Sequence, residues 1–358
     1  MRRASVWFAL VLAAGGGIGL LLGPGCTTAT ETVEGGTDGG AADGGASSDG
    51  ASDGSALDAL LPDATDDASD GSALDALLPD ATDDASDGAT GSYTTLVTGE
   101  IEPDALAVDA TGIYFHALLD IKRAPLVGGA STRLAAGYSG AIAVDGTNVY
   151  WTDSSGSLFS IPTGGGAVTT WATGAGVTAP GLALDLTDAY FVGHTRDLVS
   201  RAPLGVGAAV PFVPGPCPGP LALDATHVYM IRMCVGTVEA APKAGGASTT
   251  LMTGVGRSKI AVAGGYVYVG GAGVRRVPVG GGAVETLVPA TTNVSALATD
   301  GAQVYYATFT ALRKVPAAGG ADVLIASGLV NVADMALYGT RVYFTFMGTG
   351  GIGAVSRF

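Results

Sequence analysis

Residues that could carry acid–base or metal chemistry are scarce in this chain of 358 residues. It contains three His and three Cys, and 14% of its residues are charged. Within residues 92–358 the sequence has no Gly-x-Ser-x-Gly, His-Glu-x-x-His, Gly-x-x-x-x-Gly-Lys or Cys-x-x-Cys, the spacings that serve nucleophilic, zinc, phosphate and redox chemistry. The sequence therefore predicts no catalytic residue, no metal ion and no cofactor.

The polar residues best placed to contact a ligand lie beside short apolar segments. We expect a ligand-binding surface to draw on His116, Asp120, His194, Arg196, Arg232, Arg257, Lys259 and Asn293. Arg257, Lys259 and Asn293 have small neighbours, which leaves their side chains room to reach a ligand. The alternative is that these are ordinary solvated loop residues.

Short strands that repeat with a period of about 38 residues must position these side chains. A Tyr recurs at spacings of 36 to 40 residues, an Ala stands seven residues before each Tyr, and an Asp stands five before most of them. The seven Tyr are Tyr114, Tyr150, Tyr190, Tyr229, Tyr268, Tyr305 and Tyr343. Self-similarity at this period, in segments rich in Val, Tyr and Thr, predicts an all-β, seven-bladed β-propeller over residues 92–358.

The recurring residues are best explained by structure. We expect the Asp to accept hydrogen bonds from the N–H groups of a turn, and the Ala to suit a crowded inner strand. The Tyr are expected to pack between blades, with their hydroxyls reaching the backbone of a neighbouring blade.

The ends of the repeat array predict how the ring closes. The last copy stops at Phe358 after its third strand, without the Gly-Gly and Thr-Leu piece of other copies. That piece stands at residues 91–99, which resemble residues 246–254. We therefore expect an N-terminal strand to complete the last blade and to cover two sheet edges that would otherwise invite aggregation.

Residues 150–153 read Tyr-Trp-Thr-Asp, the tetrapeptide of the YWTD propellers, and the other copies keep the Tyr with an apolar neighbour. At superfamily level, residues 92–358 resemble YWTD, NHL and TolB-like β-propellers. In propellers of this type the first strand of each blade lines a channel, and the loops before the first strand and after the second share one face. The resemblance implies that the ligand candidates gather on that face.

Cys217 and Cys234 bracket a predicted hairpin of the fourth copy. If Asp224 pairs with His227 across a two-residue turn, the same register places the two Cys opposite each other. Export would permit their oxidation, so we expect a disulfide; two buried thiols are the alternative.

Residues 1–26 have the pattern of an export signal. Arg2 and Arg3 precede an uncharged, largely apolar stretch. The Gly25-Cys26 pair resembles the lipidation site of bacterial lipoproteins. The resemblance implies the outer membrane, because Thr27, rather than Asp, follows the Cys. We expect lipidation of Cys26; an ordinary signal peptide and an uncleaved membrane anchor are the alternatives.

Nearly all of the net charge of −15 belongs to residues 27–91. They carry 16 acidic residues and no basic one, and residues 51–67 are repeated without change at residues 68–84. Such a composition predicts a disordered linker. Residues 92–358 carry 15 basic and 16 acidic residues, a balance that argues against nucleic acid as a partner.

These features predict an exported, lipid-anchored and monomeric β-propeller of the cell envelope that binds a protein or a glycan. Its contact with the membrane is expected to be the lipid anchor only. Propeller enzymes resembling virginiamycin B lyase or gluconolactonase place a His/Glu pair or a carboxylate/Asn metal site at the channel, so a lyase-like or lactonase-like enzyme is the first alternative. A purely structural envelope protein is the second.

Overall fold

The computed structural model describes residues 91–137, 140–174, 181–193, 197–205 and 208–358. The predicted signal segment and nearly all of the predicted linker lie outside these ranges. Within them the chain folds into strands and turns, and no helix there is long and apolar enough to cross a membrane. The strands form seven antiparallel sheets, so the prediction of an all-β, seven-bladed β-propeller is confirmed.

Strand β1 (Thr94–Thr98) precedes the first blade, and each blade is then built from consecutive strands. Blade one contains β2 (Pro103–Asp109), β3 (Gly112–Ala117), β4 (Asp120–Ala124) and β5 (Thr132–Ala136). Blade two contains β6 (Ala141–Val144), β7 (Asn148–Thr152), β8 (Leu158–Pro162) and β9 (Thr169–Ala172). Blade three contains β10 (Gly181–Leu184), β11 (Asp188–Val192), β12 (Leu198–Pro203) and β13 (Val210–Pro214).

The remaining blades follow the same order. Blade four contains β14 (Pro218–Leu223), β15 (His227–Arg232), β16 (Thr237–Pro242) and β17 (Thr249–Thr253). Blade five contains β18 (Lys259–Ala263), β19 (Tyr266–Pro278) and β20 (Glu285–Asn293). Blade six contains β21 (Ala296–Thr299), β22 (Gln303–Ala307), β23 (Ala311–Pro316) and β24 (Val323–Ser327), and blade seven begins with β25 (Met335–Tyr338), β26 (Arg341–Phe346) and β27 (Gly351–Ser356).

The first strands of neighbouring blades contact one another in a closed ring that runs through β2, β6, β10, β14, β18, β21 and β25 and back to β2. The recurring Ala lies on these strands and pairs in every blade with the recurring Tyr on the second strand. The pairs are Ala107–Tyr114, Ala143–Tyr150, Ala183–Tyr190, Ala222–Tyr229, Ala261–Tyr268, Ala298–Tyr305 and Ala336–Tyr343. A small residue opposite each large ring lets the seven inner strands approach one another around the axis.

Apolar clusters hold adjacent blades together. Tyr114 of blade one packs with Val149 and Trp151 of blade two, and Tyr343 of blade seven packs with Phe115 of blade one. Full burial of such a side chain contributes about 1.5–3 kcal/mol. The recurring aromatic residues therefore stabilise the interfaces between blades, as the repeat predicts.

Three of the seven hydroxyl groups, those of Tyr150, Tyr229 and Tyr305, bond an Asp of their own blade and not the backbone of a neighbouring blade as the sequence suggested. Tyr150 donates to Asp145 at 2.9 Å and Tyr229 donates to Asp224 at 2.6 Å, so each bonds the turn of its own blade. The other oxygen of Asp224 accepts from the N–H of His227 at 2.7 Å. The partner is local because the turn between the first two strands brings the Asp beside the Tyr five residues later.

Strand β1 closes the ring as predicted. It pairs antiparallel with β27, from Thr94 opposite Ala354 to Thr98 opposite Gly351. Leu96 and Val97 are buried against Ile113 of blade one. The last blade therefore consists of three strands from the C-terminus and one from the N-terminus.

We expect acid to weaken one contact between blades three and four. Burial by itself would raise the pKa of Asp185, but the Lys243 ammonium 2.9 Å away and the N–H groups of Thr187 and Asp188 lower it to about 2. A carboxyl with a depressed pKa stabilises the fold above its unfolded pKa and loses that contribution as pH falls toward the folded value. Asp185→Asn should remove about 2 kcal/mol at neutral pH and flatten the stability profile between about pH 4 and pH 2.

Chemical denaturation across that pH range measures this effect. Asp109→Asn is the matched control, because Asp109 also accepts from the N–H of its own turn, at Thr111, and the described residues place no Lys or Arg in an ion pair with it. A wild-type profile that stays flat in acid would show that the Asp185–Lys243 pair adds nothing.

Candidate functional site

The antiparallel order of each blade places the loops before the first strand and after the second strand at one end of the ring. We call this end the channel mouth. It is bordered by the first residues of the inner strands, which are Pro103, Ala141, Gly181, Pro218, Lys259, Ala296 and Met335. The opposite end carries the turns between first and second strands, including those at Asp145 and Asp224.

Polar side chains of blades one and seven meet at the mouth. The N–H of Leu106, on β2, donates to Asp334 Oδ2 at 3.0 Å, and Asp334 Oδ1 accepts from the N–H of Met335 at 3.0 Å. On the same inner strand, Asp104 Oδ1 lies 2.6 Å from His116 Nδ1. Asp334 thus connects the last blade to the first at the point where the ring closes.

The environment of Asp334 disfavours its charged form. Burial raises the pKa of its carboxyl above the usual range, and the nearby Asp104 carboxylate adds to the rise. The Lys259 ammonium and the N–H groups of Leu106 and Met335 oppose it. Lys259 belongs to blade five and Asp334 directly precedes β25 of blade seven, so these two opposite charges come from separate blades.

Lys259 and Asp334 occupy equivalent places in the repeat. Each stands nine residues before the recurring Tyr of its blade, Tyr268 or Tyr343. The other blades have small or apolar residues there, namely Ala105, Ala141, Gly181, Pro220 and Ala296. At this position of the repeat, two blades therefore carry a charged residue, Lys259 or Asp334, and the other five carry an uncharged one.

Two cations of the mouth form no ion pair with a described residue. Most Lys and Arg residues in the described ranges form ion pairs or bond backbone carbonyls. Those for which the described residues supply no such partner are Arg257, Lys259 and Arg341. Arg257 is exposed in the loop that leads into β18, and Lys259 is half-buried at its start. Arg341 lies at the opposite end, where β25 turns into β26.

Blade five has a short turn beside these cations, at Gly271–Gly273, which we call the trimmed turn. The N–H of Val279 donates to the carbonyl of Gly265 at 3.0 Å, so β19 is a hairpin that supplies two strand passes. It turns at Gly271–Gly273, where Gly273 has a φ of +72°. A Cβ at Gly271 would lie 2.4 Å from Ser258 Oγ. Because Gly fills this turn, the mouth-side loop of blade five is minimal and leaves Arg257 open to solvent.

Arg232, another predicted ligand residue, is 1% exposed. Its guanidinium donates to Glu239 at 3.1 Å and to the carbonyls of Gly215 and Pro214 at 2.8 and 2.9 Å. Those bonds use the side chain to fasten blade four to the end of β13, and its burial leaves no donor open to a ligand. We therefore do not include Arg232 in the candidate site.

Cys217 and Cys234 are joined by a disulfide, with Cα atoms 5.6 Å apart. The register differs from the simple hairpin that the sequence suggested, because β14 bulges between Pro218 and Leu221 and pairs Pro218 with Arg232. The N–H of Met233 also donates to the carbonyl of Cys217 at 2.9 Å. The disulfide thus fixes two mouth-side loops of blade four.

The other predicted residues are dispersed. His116 is 1% exposed on β3, and Asp120, at the start of β4, accepts from Arg133 at 2.6 Å. Asn293 is exposed at the end of β20 and pairs with Ala272 beside the trimmed turn. His194, Arg196 and Cys26 lie outside the described residues. Arg257, Lys259 and Asn293 thus remain together at blade five, while Asp120 lies toward the outside of blade one.

Two mouth residues, Asp104 and Asp334, were not among the predicted site residues. Asp334 could have been found by aligning the repeats and searching for charge at positions that other copies fill with small residues. Asp104 stands ten residues before Tyr114, outside that alignment. Among the described residues, no three His, Cys, Asp or Glu side chains converge as metal ligands.

The fold and this mouth define a closed seven-bladed β-propeller with two cations at one end of its channel that form no ion pair with a described residue. Comparison of the structure with solved proteins finds many β-propellers. Streptogramin B lyase shares 12% identity at a TM-score of 0.61, over 74% of this chain and 96% of its own. The extracellular domain of a hybrid two-component system from B. thetaiotaomicron shares 11% identity at 0.59, over 74% of this chain and 40% of that one.

BamB from Moraxella catarrhalis shares 14% identity at a TM-score of 0.52, over 71% of this chain and 85% of its own. No family profile matches the sequence, and no curated protein matches it. The superfamily-level resemblance to β-propellers is confirmed. At such low identities the likeness concerns the fold alone, and function must be argued from the mouth itself.

Proposed function

We propose that this chain is an exported, lipid-anchored β-propeller that binds a protein or glycan ligand at its channel mouth and catalyses no reaction. The observation that carries the proposal is the pair of cations, Arg257 and Lys259, for which the described residues supply no ion pair. Nearly every other cation of the described chain is used within the fold. A cation without an ion-pair partner beside a small-residue turn is available to an anionic group of a ligand.

Export has separate support. Residues 1–26 have the pattern of a secretion signal, the Cys217–Cys234 bond suits an oxidising compartment, and one similar fold is an extracellular domain. Lipidation at Cys26 would attach the protein to the membrane through its N-terminus alone. Release of the mature protein by Cys26→Ser, measured by fractionation, tests this part.

We expect the double variant Arg257→Ala/Lys259→Ala to lose most of its ligand binding. A charge-assisted hydrogen bond contributes about 1.5–3 kcal/mol, so removing two should weaken the affinity at least about 100-fold. Retention of the full chain on intact cells, titrated with the purified protein, measures the change.

The matched control is Arg341→Ala, which removes from the opposite end of the ring a cation that also has no ion-pair partner among the described residues. The control should bind as the wild type does. Equal loss in both variants would point to net charge rather than to the mouth, and undiminished binding by the double variant would contradict the proposal.

One contact favours the enzyme alternative. Asp104 lies 2.6 Å from the Nδ1 of His116, an arrangement that orients an imidazole for proton transfer. With 1% of its surface exposed, however, His116 is poorly placed to reach a substrate. A lyase or lactonase activity abolished by His116→Gln would favour this second candidate. Absence of any ligand on intact cells would instead favour the purely structural role.

A further inference from the structure

We propose that the ligand of this mouth is an acidic glycan, whose carboxylate binds Arg257 and Lys259 and whose neighbouring sugars enter a cleft between blades five and six. This inference rests on the proposed function and names the chemistry of its ligand.

The cleft lies between the outer strand of blade five and the middle strands of blade six. Its volume is about 520 Å³, which falls within the range of small-molecule sites. Hydroxyl-bearing and charged side chains dominate its polar lining, which consists of Thr292, Thr308, Thr310, Tyr306, Arg313 and Asp322. Leu287, Pro289 and Ala311 add apolar surface.

The charged pair in the cleft is held in a fixed orientation. Arg313 donates to both oxygens of Asp322, from Nε at 2.6 Å and from Nη2 at 3.1 Å. The hydroxyl of Tyr306 also bonds Asp322. About a third of each charged side chain is exposed, so the pair presents guanidinium donors and carboxylate lone pairs to a ligand at the same time.

The cleft exists because blade five departs from the repeat. Strand β20 extends to Asn293, and its pairing with β19 shifts between Val274–Val288 and Ala272–Asn293. The additional residues include Pro289 and Thr292, which form one wall of the cleft. A local departure from an otherwise regular pattern is a feature typical of functional positions.

The backbone of blade five runs from the loop of Arg257 to the wall of the cleft. Gly271 lies against Ser258 and the carbonyl of Arg257 on one side, and its own carbonyl accepts from the N–H of Val294 at 2.8 Å. Asn293 therefore lies between the loop of Arg257 and the Thr292 wall. The trimmed turn of blade five lets a chain of sugars pass from the cations to the cleft.

The lining fits a sugar better than a peptide. Sugar hydroxyls both donate and accept, as do Thr hydroxyls, and an Arg–Asp pair supplies each function. Phe309, 62% exposed, stands between Thr308 and Thr310, and an aromatic surface beside hydroxyl groups suits the apolar face of a sugar ring. A bound peptide strand would instead be recognised through main-chain bonds and apolar pockets.

Calorimetry on the full chain tests the inference with three kinds of probe: acidic hexasaccharides (galacturonate, alginate and heparin fragments), neutral cellohexaose, and hexaglutamate. We expect an acidic hexasaccharide to bind at least tenfold more tightly than the other two probes. Arg257→Ala/Lys259→Ala and Thr308→Val/Thr310→Val should each weaken that binding at least tenfold. Thr132→Val, in a separate cleft of blade one, and Arg341→Ala should change it less than twofold, and melting curves check that every variant folds.

The outcomes separate this inference from the proposed function. Preference for hexaglutamate, with the threonine variants unaffected, would overturn the glycan and leave the mouth as a site for acidic protein. Binding of cellohexaose that ignores Arg257 and Lys259 would overturn the acidic group. Failure of every acidic hexasaccharide to bind, while the cation variant still loses binding to cells, would overturn the glycan alone.

Discussion

Deleting Ser92–Thr98 should leave the propeller open, less stable and prone to aggregate. The deletion removes β1, and with it the burial of Leu96 and Val97 against blade one. Those two side chains alone contribute about 3–6 kcal/mol, which is a large part of the 5–15 kcal/mol by which domains are usually stable. The loss also exposes the edge of β27, whose backbone groups pair with Thr94–Thr98 in the intact ring. A free strand edge is a template for association with other chains.

Thermal melting and light scattering measure this effect. The control is an equal-length deletion in the acidic linker, residues 71–77, which shortens the chain without touching a blade. We expect the control to melt as the wild type does. If the chain without β1 melted at the same temperature and did not aggregate, ring closure would add little to stability.

The fold could be predicted because the same strand pattern occurs in seven copies along the chain. Each Tyr, with an Ala seven residues before it, marks the second and first strand of a blade, and seven copies reinforce one another. The displaced Thr-Leu piece at residues 91–99 revealed the closure because it matched the part that the last copy lacks. Local pairing and overall topology agree in these segments, which is why the pattern was sufficient.

The site was harder to predict because residues from distant blades create it. Asp334 lies beside Leu106, 228 positions earlier, and neither strand alone reveals that neighbour. Arg232 looked available because it stands at the end of a short apolar segment, yet its bonds to the end of β13 bury it. The cleft depends on a shifted register in β20, and no single residue in that strand predicts the shift.

The hydrogen bonds of the recurring Tyr hydroxyl groups were also predicted only in part. The sequence correctly placed the aromatic side chains between blades. The hydroxyl groups of Tyr150, Tyr229 and Tyr305, however, donate to the Asp five residues earlier and not to a backbone carbonyl of a neighbouring blade. A charged acceptor forms a stronger bond than a backbone carbonyl. The same Asp also orders its turn, so one side chain fixes two neighbouring elements.

Replacing Arg232 should cost more than replacing any exposed cation. Its side chain is 1% exposed, its bonds to the carbonyls of Pro214 and Gly215 join blade four to the end of blade three, and its bond to Glu239 lies within blade four. Arg232→Met keeps much of the volume but leaves two carbonyls and the Glu239 carboxylate without that donor. Breaking a buried ion pair by removing one partner costs about 3–5 kcal/mol, which corresponds to a fall in Tm of roughly 5–9 °C for a domain of this size.

Arg133→Met is the matched control, because it breaks an ion pair with Asp120 in which the Arg side chain is 57% exposed. Exposed pairs contribute about 0–1 kcal/mol, so this variant should melt close to the wild type. The double variant Arg232→Met/Glu239→Leu should regain part of the stability, since it removes the carboxylate left without its partner. Equal melting of the Arg232 and Arg133 variants would mean that the Pro214 and Gly215 carbonyls find water once the guanidinium is gone, and that the disulfide between Cys217 and Cys234 alone holds this loop in place.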